Sequence, residues 1–168
     1  MMRFKVGDLV VHLAHGMGHV VSLEKKQLFG GEARLYYEVA TQRNTVVWVP
    51  VETDIEATLR SVTTKSDLGL YQQVLIRKPE TLNKDHRLRQ IELNERLKHG
   101  SFQTICETVR DLTAHGWHKP LSDAGAALLR RTRDNLCQEW AVAAGITVVE
   151  ANKQVNALLL ESKQAHLT

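Results

Sequence analysis

The residues whose chemistry most clearly suggests a function are arginines on two predicted helices. Arg130 and Arg131 point away from the apolar stripe of their helix, and Arg133 lies on its flank, as helical spacing requires. A second basic group stands near the start of another predicted helix and comprises His86, Arg87 and Arg89. Such side chains on neighbouring helices would attract DNA phosphates and release counterions. A solvated surface is the alternative, in which nearby acidic residues neutralise them: Glu92, Glu95, Asp134 and Glu139.

A second candidate surface is the apolar run formed by Val46, Val47, Trp48 and Val49. Strand alternation places Val46 and Trp48 on one face and Val47 and Val49 on the other. If both faces are apolar, one of them could be an exposed edge or patch that a partner protein covers. Burial of Trp48 in a β-domain core is the alternative.

No set of residues predicts catalysis, a metal site or a cofactor. His12, His15 and His19 are close in sequence, but no further ligand completes a set at metal-binding spacing, so surface positions are expected. The nucleophile-elbow, dinucleotide, phosphate-loop and zinc-protease motifs are all missing. Cys106 and Cys137 have no CxxC partner and are expected to be reduced core residues. We therefore predict a protein that is not an enzyme.

Composition is that of a globular protein able to bury a core. The 168 residues are 43% hydrophobic and 24% charged, and the net charge is +3. The first 60 residues are electrically neutral, so the basic excess lies in the remainder, which suggests that this part meets a polyanion. No apolar run is long enough for a membrane span, and the first residues do not resemble a secretion signal. A cytoplasmic protein is expected.

Residues 1–60 are expected to form a small β-domain. Apolar and β-branched runs fall within Asp8–Leu13, His19–Leu23, Arg34–Val39 and Thr45–Pro50. Gly16 and Gly18 fit a tight turn or bulge, and Gly30-Gly31, after Phe29, suits a two-residue hairpin turn. Four or five short strands in this length predict a Tudor/SH3-like barrel, a fold that usually serves as an adaptor.

Residues 61–168 change to a helical period and are expected to form a bundle of about five helices, which makes the fold class α+β. The expected helix starts are Thr64 or Ser66, Asn83 or Asp85, Ser101, Ser122 or Asp123, and Thr147. The expected ends of the first four are Lys78-Pro79, His99-Gly100, His115-Gly116 and Gly145. The sequence thus predicts two domains, residues 1–60 and 61–168.

Motifs along nearly the whole chain resemble the CarD/CdnL family of transcription regulators. The opening FKVGDLVVH, followed by HGMG, also resembles the polymerase-interacting domain of the transcription-repair coupling factor. Later matches are Tyr36–Val39, Val46–Glu52, Glu95–Gly100, Val109–Leu112 and Leu121-Ser122 before the Arg130 cluster. Their order and spacing together are more specific than any one of them.

The resemblance implies a Tudor-like domain that binds the RNA polymerase β subunit and a helical domain on promoter DNA. Family members contact the upstream edge of the transcription bubble and usually stabilise the open complex. Lys26 matches a position that is often basic in the β-binding domain. Trp48 falls where some relatives have Arg, so the contact would become apolar, or the strand would meet β by edge-to-edge pairing.

The DNA-contacting helix departs further from the family. Relatives commonly place a Trp wedge at the position of His86, whereas Arg89 aligns with a retained Arg. The contacts implied are with the DNA backbone and minor groove. Their sequence specificity is expected to be weak because the polymerase supplies most of the position, and the regulator is expected to be a monomer. A Tudor/KOW-like adaptor for RNA or ribosomes is the alternative, although such readers usually display several exposed aromatic residues.

Overall fold

The computed structural model describes residues 3–28, 30–51 and 58–167. Phe29, next to the expected Gly-Gly turn, and Glu52, in one matched motif, lie outside these ranges. The chain divides into two compact units, residues 1–62 and 63–168, called unit 1 and unit 2 below. Unit 1 contains strands and unit 2 contains helices, which confirms the α+β class.

Unit 1 is a five-stranded antiparallel sheet with strand order β4-β3-β2-β1-β5. The strands are β1 (Leu9–His12), β2 (Gly16–Lys26), β3 (Arg34–Thr41), β4 (Val46–Pro50) and β5 (Leu59–Ser61). The first four contain the apolar runs expected from the sequence. The fifth, a three-residue strand, pairs with β1 across Val10 and Ser61. This sheet order fits the expected small barrel-like domain.

Two glycine-based predictions need correction. Gly16 does adopt a positive φ of 79°, but Gly18 lies inside β2, and the bulge falls later, between Val20 and Ser22. Gly18 is required because a Cβ there would stand 2.5 Å from the carbonyl oxygen of Ala40 on β3. Close approach of two strands, which local sequence does not reveal, therefore explains this glycine.

The predicted two-residue turn at Gly30-Gly31 is also wrong. Strand β2 ends at Lys26 and β3 begins at Arg34, so the connection spans residues 27–33. Gly30 still supplies a positive φ of 72°, as glycine does in turns. The turn before β4 has its positive φ at Asn44, an ordinary choice for that conformation.

Alternation sorts the strand residues between core and outer face. The core of unit 1 is built from Phe4, Val10, Val20, Tyr37, Val39, Val49, Val51 and Leu59. Val47 packs against this cluster, whereas Val46 on the opposite face is 52% exposed. Trp48 shares the face of Val46, is half-buried and does not belong to the core. Of the two alternatives for Trp48, the structure selects the outer face.

Unit 2 consists of a short 3-10 turn (Lys65–Asp67) and helices α1 (Leu68–Ile76), α2 (His86–Lys98), α3 (Phe102–His118), α4 (Asp123–Ala144) and α5 (Val148–His166). The starts of α2 to α5 confirm the predicted caps: the side chains of Asp85, Ser101, Ser122 and Thr147 each accept a hydrogen bond from the first helical turn. The first predicted start is wrong, because Thr64 precedes the 3-10 turn without a side-chain cap and α1 begins only at Leu68. Gly145 ends α4 in the left-handed conformation, also as predicted. None of the described helices is long and apolar enough to cross a bilayer.

Helix α3 continues beyond its predicted end at His115-Gly116. It runs through Gly116 to His118, and Lys119 then turns to an extended conformation. The residue that stops the helix is Pro120, because a proline forces the preceding residue out of the helical region. Gly116 is an ordinary helical glycine beside Leu121.

The helices share two clusters of buried side chains. The larger cluster joins α1, α3, α4 and α5 around the fully buried Trp140 and includes both cysteines, as expected from the sequence. The smaller cluster joins α2 to α3 and α4 through Leu82, Leu93, Leu112 and Leu128. Helix α2 itself buries only Arg89 and Leu93, so apolar packing holds it weakly.

A buried ionic network centred on Asp111 adds to this weak packing. One carboxylate oxygen accepts hydrogen bonds from Arg110 Nε at 2.8 Å and from the backbone N–H of Glu80 at 3.0 Å. The other accepts from Arg96 of α2 at 2.8 Å. Arg110 also donates to the carbonyl oxygen of Val74 on α1. The network thus ties α1, α2 and α3 to the loop between α1 and α2.

Asp111→Asn is expected to destabilise the protein by about 3 kcal/mol, because removing one partner leaves buried arginine charge uncompensated. Urea unfolding followed by circular dichroism measures this change. The matched control is Glu95→Gln, which breaks the exposed pair between Glu95 and Lys98 and should leave the unfolding midpoint unchanged. Equal midpoints for all three proteins would show that the network contributes nothing to stability.

Candidate protein and nucleic-acid interfaces

The first candidate interface is the free edge of the sheet at β4. Thr41 N–H donates to the carbonyl oxygen of Thr45, and Val51 N–H donates to that of Leu35. In the antiparallel register of β3 and β4, residues 45, 47, 49 and 51 therefore direct their N–H and C=O groups toward β3. The N–H groups of Val46 and Trp48 therefore point away from the sheet. Among the described strands β4 is terminal, so this edge can accept a further strand.

Lys26 and Trp48 meet beside this edge. The Nζ atom of Lys26 lies 3.6 Å from the centre of the Trp48 ring, a cation–π arrangement. The sequence predicted for each of these two residues, independently, a contact with the same partner. The fold brings them together. The stacked lysine covers part of the indole and keeps its charge at the surface. The resulting site combines an apolar ring, a cation and open backbone donors.

The other two residues of the apolar run have a different position. Val49 is 1% exposed and Val47 packs against the same core cluster, so their side chains face away from any partner at the edge. The side chains of Val47 and Val49 therefore hold β4 on the core of unit 1 and are not placed to contact a partner. Sequence reasoning missed Leu9 and Val21, which are 50% and 42% exposed on unit 1. The sequence places these residues on one strand face by alternation, but alternation does not show which face packs on the core and which is exposed.

The second candidate interface is the start of α2. His86 and Arg87 are exposed in its first turn. Arg89 is only 6% exposed, and its guanidinium donates to the carbonyl oxygens of Asn83 at 3.0 Å and Lys84 at 3.3 Å. It also lies 3.4 Å from Nδ1 of His86. The expectation of a surface Arg89 that contacts DNA is therefore not supported by its position; it fixes the loop before α2.

The third candidate interface is the arginine cluster of α4. Arg130 and Arg131 are exposed, as helical spacing predicted. Arg133 is half-buried and binds the side-chain oxygens of Asn152 and Asn156 on α5. Two of the three arginines are therefore available to a ligand, and the third joins neighbouring helices.

The acidic residues that could neutralise these arginines mostly have other partners. Glu92 accepts a hydrogen bond from Asn83, Glu95 pairs with Lys98, and the buried Glu139 accepts from the N–H of Thr63. Within the described residues, no ion pair involves Arg87, Arg130 or Arg131. Asp134 is exposed one turn from Arg130 and Arg131 but forms no ion pair with them, so all three arginines keep their charge available to a polyanion.

Sequence reasoning also missed two exposed apolar residues of α2. Leu88 is 50% exposed and Ile91 is 51% exposed, on successive turns of the helix. Their spacing of three residues was visible, but it is the spacing of any buried helical stripe. Only the position of Leu93 in the core shows that they face outward.

Of the three histidines of unit 1, His12 has a structural role, whereas His15 and His19 are exposed as expected. His12 is 8% exposed, which corrects the expected surface position, and its Nδ1 accepts from the N–H groups of Ala14 and His15. Burial, and then the nearby His15, lower the pKa of His12 and favour the neutral ring that these bonds require. No group of potential ligands among the described residues is placed to hold a metal ion.

Comparison with known proteins agrees with this two-unit arrangement. Residues 4–63 match the family model of the CarD-like/TRCF RID domain, and residues 72–156 match that of the CarD C-terminal domain. The chain belongs to the CarD family. The Bacillus subtilis (strain 168) protein named "Putative transcription factor YdeB" is 24% identical over 144 residues, which cover 86% of this chain and 94% of that protein.

Membership in the CarD family confirms the resemblance seen in the sequence. It makes this chain a member of a family of transcription regulators and not of a known enzyme class. The RID domain type further implies interaction with RNA polymerase. In this CarD-family chain, that domain is the unit that carries the open β4 edge.

Arg89→Met is expected to lower the free energy of unfolding by about 2 kcal/mol, because the variant cannot donate charged hydrogen bonds to the two loop carbonyls. Thermal unfolding of the purified protein measures the difference. Arg87→Met, an equal change two residues away on an exposed side chain, should not alter stability. If both variants unfold like the unmodified protein, Arg89 is not the residue that fixes the loop.

Proposed function

We propose that this CarD-family chain binds the β subunit of RNA polymerase through unit 1 and contacts promoter DNA through unit 2. The DNA contact lies at the upstream edge of the transcription bubble, along the backbone and minor groove. The protein acts as a monomer and changes the stability of the open complex. The observation that carries the proposal is the open β4 edge beside Lys26 and Trp48, inside a domain whose type implies polymerase binding.

The β4 edge favours addition of a strand from the partner. Main-chain hydrogen bonds from Val46 and Trp48 would supply affinity, while the stacked Lys26–Trp48 pair would contact side chains that flank the added strand. A cation beside an indole suits a strand that carries both apolar and acidic residues. Because backbone pairing does not depend on one side chain, Trp48 can stand where some relatives have Arg.

The DNA half of the proposal is supported by exposed cations without acidic partners among the described residues. Arg87, Arg130 and Arg131 can contact phosphates, and His86 lies beside Arg87 at the start of α2. Phosphate contacts position a protein on DNA but carry little sequence information. Arg89 and Arg133 support these contacts indirectly, because each is bound within unit 2.

Docking on the polymerase explains how so few cations can suffice. A unit tethered to the polymerase meets promoter DNA at a high effective concentration, so weak contacts become populated. If those contacts are stronger in the open complex than in the closed one, the population shifts toward the open complex. The free energy of open-complex formation changes by the difference between the binding free energies of the two complexes.

The alternative of an RNA- or ribosome-binding adaptor gains no support from unit 1. Phe4, Tyr36 and Tyr37 are at most 9% exposed, and Lys26 covers part of the Trp48 ring. Among the described residues of this unit, no platform of exposed aromatic rings is available for stacking of bases.

Lys26→Glu is expected to weaken binding to RNA polymerase core enzyme about tenfold, because it reverses the charge beside the edge and removes the stack on Trp48. Biolayer interferometry measures the affinity. A photo-crosslinker at residue 46 identifies the subunit in contact and should label β. Lys25→Glu is the matched control, since strand alternation directs this neighbour to the other face. Equal losses for both variants, or labelling of another subunit, would contradict the proposed contact.

Replacing Arg130 and Arg131 together by alanine should reduce the salt dependence of promoter binding by about one to two units of slope, roughly one for each phosphate that the variant no longer neutralises. Titration of polymerase–promoter complexes at several salt concentrations gives the slope. The charge-matched control is the double alanine variant of Arg77 and Lys78, which are exposed at the end of α1. A slope unchanged by the first pair would remove α4 from the DNA contact.

A further inference from the structure

Helix α2 meets α3 at three successive levels, of which two are complementary. At the first level, Arg96 binds the buried carboxylate of Asp111 at 2.8 Å. At the second, Leu93 packs in one apolar cluster with Leu112. Residues three or four apart share a face of a helix, so Arg96 and Leu93 lie on one face of α2. The two helices therefore run in opposite directions along this interface.

The third level places a cation of α2 beside a histidine of α3. Arg89 precedes Leu93 by four residues and His115 follows Leu112 by three, so both continue the faces on which the helices meet. Of the nearby charges, the Arg89 guanidinium acts most strongly on the His115 ring. The Nε2 atom of His115 is buried and makes no hydrogen bond to a described residue. This level therefore has a positive charge but no complementary group.

Other charged or titratable groups surround this end of α3. They are His118 and Lys119 on α3 itself, His86 on α2, Lys78 and Glu80 in the loop before α2, and His166 at the end of α5. The loop before α4 contributes the apolar Leu121 beside Gly116. The carboxylates of Glu80 and Asp111 both lie within ion-pair distance of Arg96, and among the described residues neither pairs with His115. Nothing described here therefore neutralises a proton on His115.

Protonation of His115 is opposed while α2 is attached. Burial is the largest cause that lowers the pKa of His115, and the Arg89 charge is the next. Lys119 and His118 act in the same direction, but they stay on α3 when α2 moves. Release of α2 would remove the Arg89 charge and part of the burial, so the pKa would return toward its ordinary value of about 6.5.

The sign of the pH dependence follows from this lowered pKa. The released state binds more protons than the attached state as the pH falls, because its His115 is the stronger base. Attachment of α2 is therefore unimpaired above about pH 7.5 and weakens as the pH falls through about 6.5.

Helix α2 has little else to hold it on unit 2. It buries only Arg89 and Leu93, whereas α3 and α4 each bury many more residues. The Oε1 atom of Gln90 is also buried without a hydrogen-bond partner among the described residues. Elements with few buried apolar contacts open locally before the rest of a domain. A modest change at one level can therefore release α2 without unfolding unit 2.

We propose that the attachment of α2 to α3 is a pH-sensitive switch, in which a proton on His115, facing the Arg89 guanidinium, releases α2 from unit 2. The switch is a property of the chain alone. Because α2 also carries His86 and Arg87, its release would weaken the contact with promoter DNA, and only this last link rests on the proposed function.

The test compares hydrogen exchange of the backbone amides of α2 and α5 in the full chain, followed by NMR and corrected for intrinsic exchange rates. In the unmodified chain, protection of α2 should be about threefold or more lower at about pH 5.5 than at about pH 7.5, while protection of α5 stays the same. His115→Gln cannot take up the proton and should show equal protection of α2 at both pH values.

Two further variants separate the charge from the fold. Arg89→Met should show a smaller loss between the two pH values, because the opposing charge is gone, although its α2 is less protected at both. His99→Gln is the matched control, since it changes an exposed histidine at the end of α2, and should lose protection like the unmodified chain.

The contrary outcomes are equally specific. Equal protection of α2 at both pH values in the unmodified chain would overturn the switch, as would an undiminished loss in His115→Gln or in Arg89→Met. A loss that disappears in His86→Gln instead would assign the effect to that exposed neighbour of Arg89 and overturn the role of His115. A loss shared equally by α5 would show that all of unit 2 is destabilised. The proposed DNA contact is judged separately, by promoter binding at about pH 7.5, where α2 is attached.

Discussion

The carboxylate of Asp111 is the point at which three helices and a loop of unit 2 meet. Helix α2 has few apolar contacts of its own, so its position depends on the bond between Arg96 and Asp111 in addition to the burial of Leu93. A buried carboxylate is tolerated here because two arginines and a backbone N–H satisfy it. Since α2 also carries His86 and Arg87, the geometry of the proposed DNA contact depends on this network.

The same network explains part of the family resemblance, because its residues lie in two of the matched segments. Arg96 belongs to one of the matched segments, and Arg110 and Asp111 belong to another. In the structure both arginines bind the buried carboxylate of Asp111, and only Arg96 is partly exposed. Those segments of the resemblance therefore belong to the framework that holds α2, whereas the residues proposed to touch DNA lie outside them.

The two units would bind their proposed partners through different kinds of interaction. Unit 1 offers main-chain groups on an edge strand, where binding depends on backbone geometry and tolerates changes of side chain. Unit 2 offers exposed cations, where binding depends on which side chains stay exposed. The departure at Trp48 therefore leaves the edge intact, because backbone pairing does not require one particular side chain there.

Local sequence was enough to predict the helix caps at Ser101, Ser122 and Thr147 and the left-handed end at Gly145, because those interactions span a few residues. Which of two similar side chains is buried depends instead on packing between elements. Arg87 and Arg89 differ by two positions, yet one is exposed and the other binds a loop. Gly18 and the stack of Lys26 on Trp48 likewise depend on neighbouring strands. Partners distant in sequence set these outcomes, and no local pattern contains them.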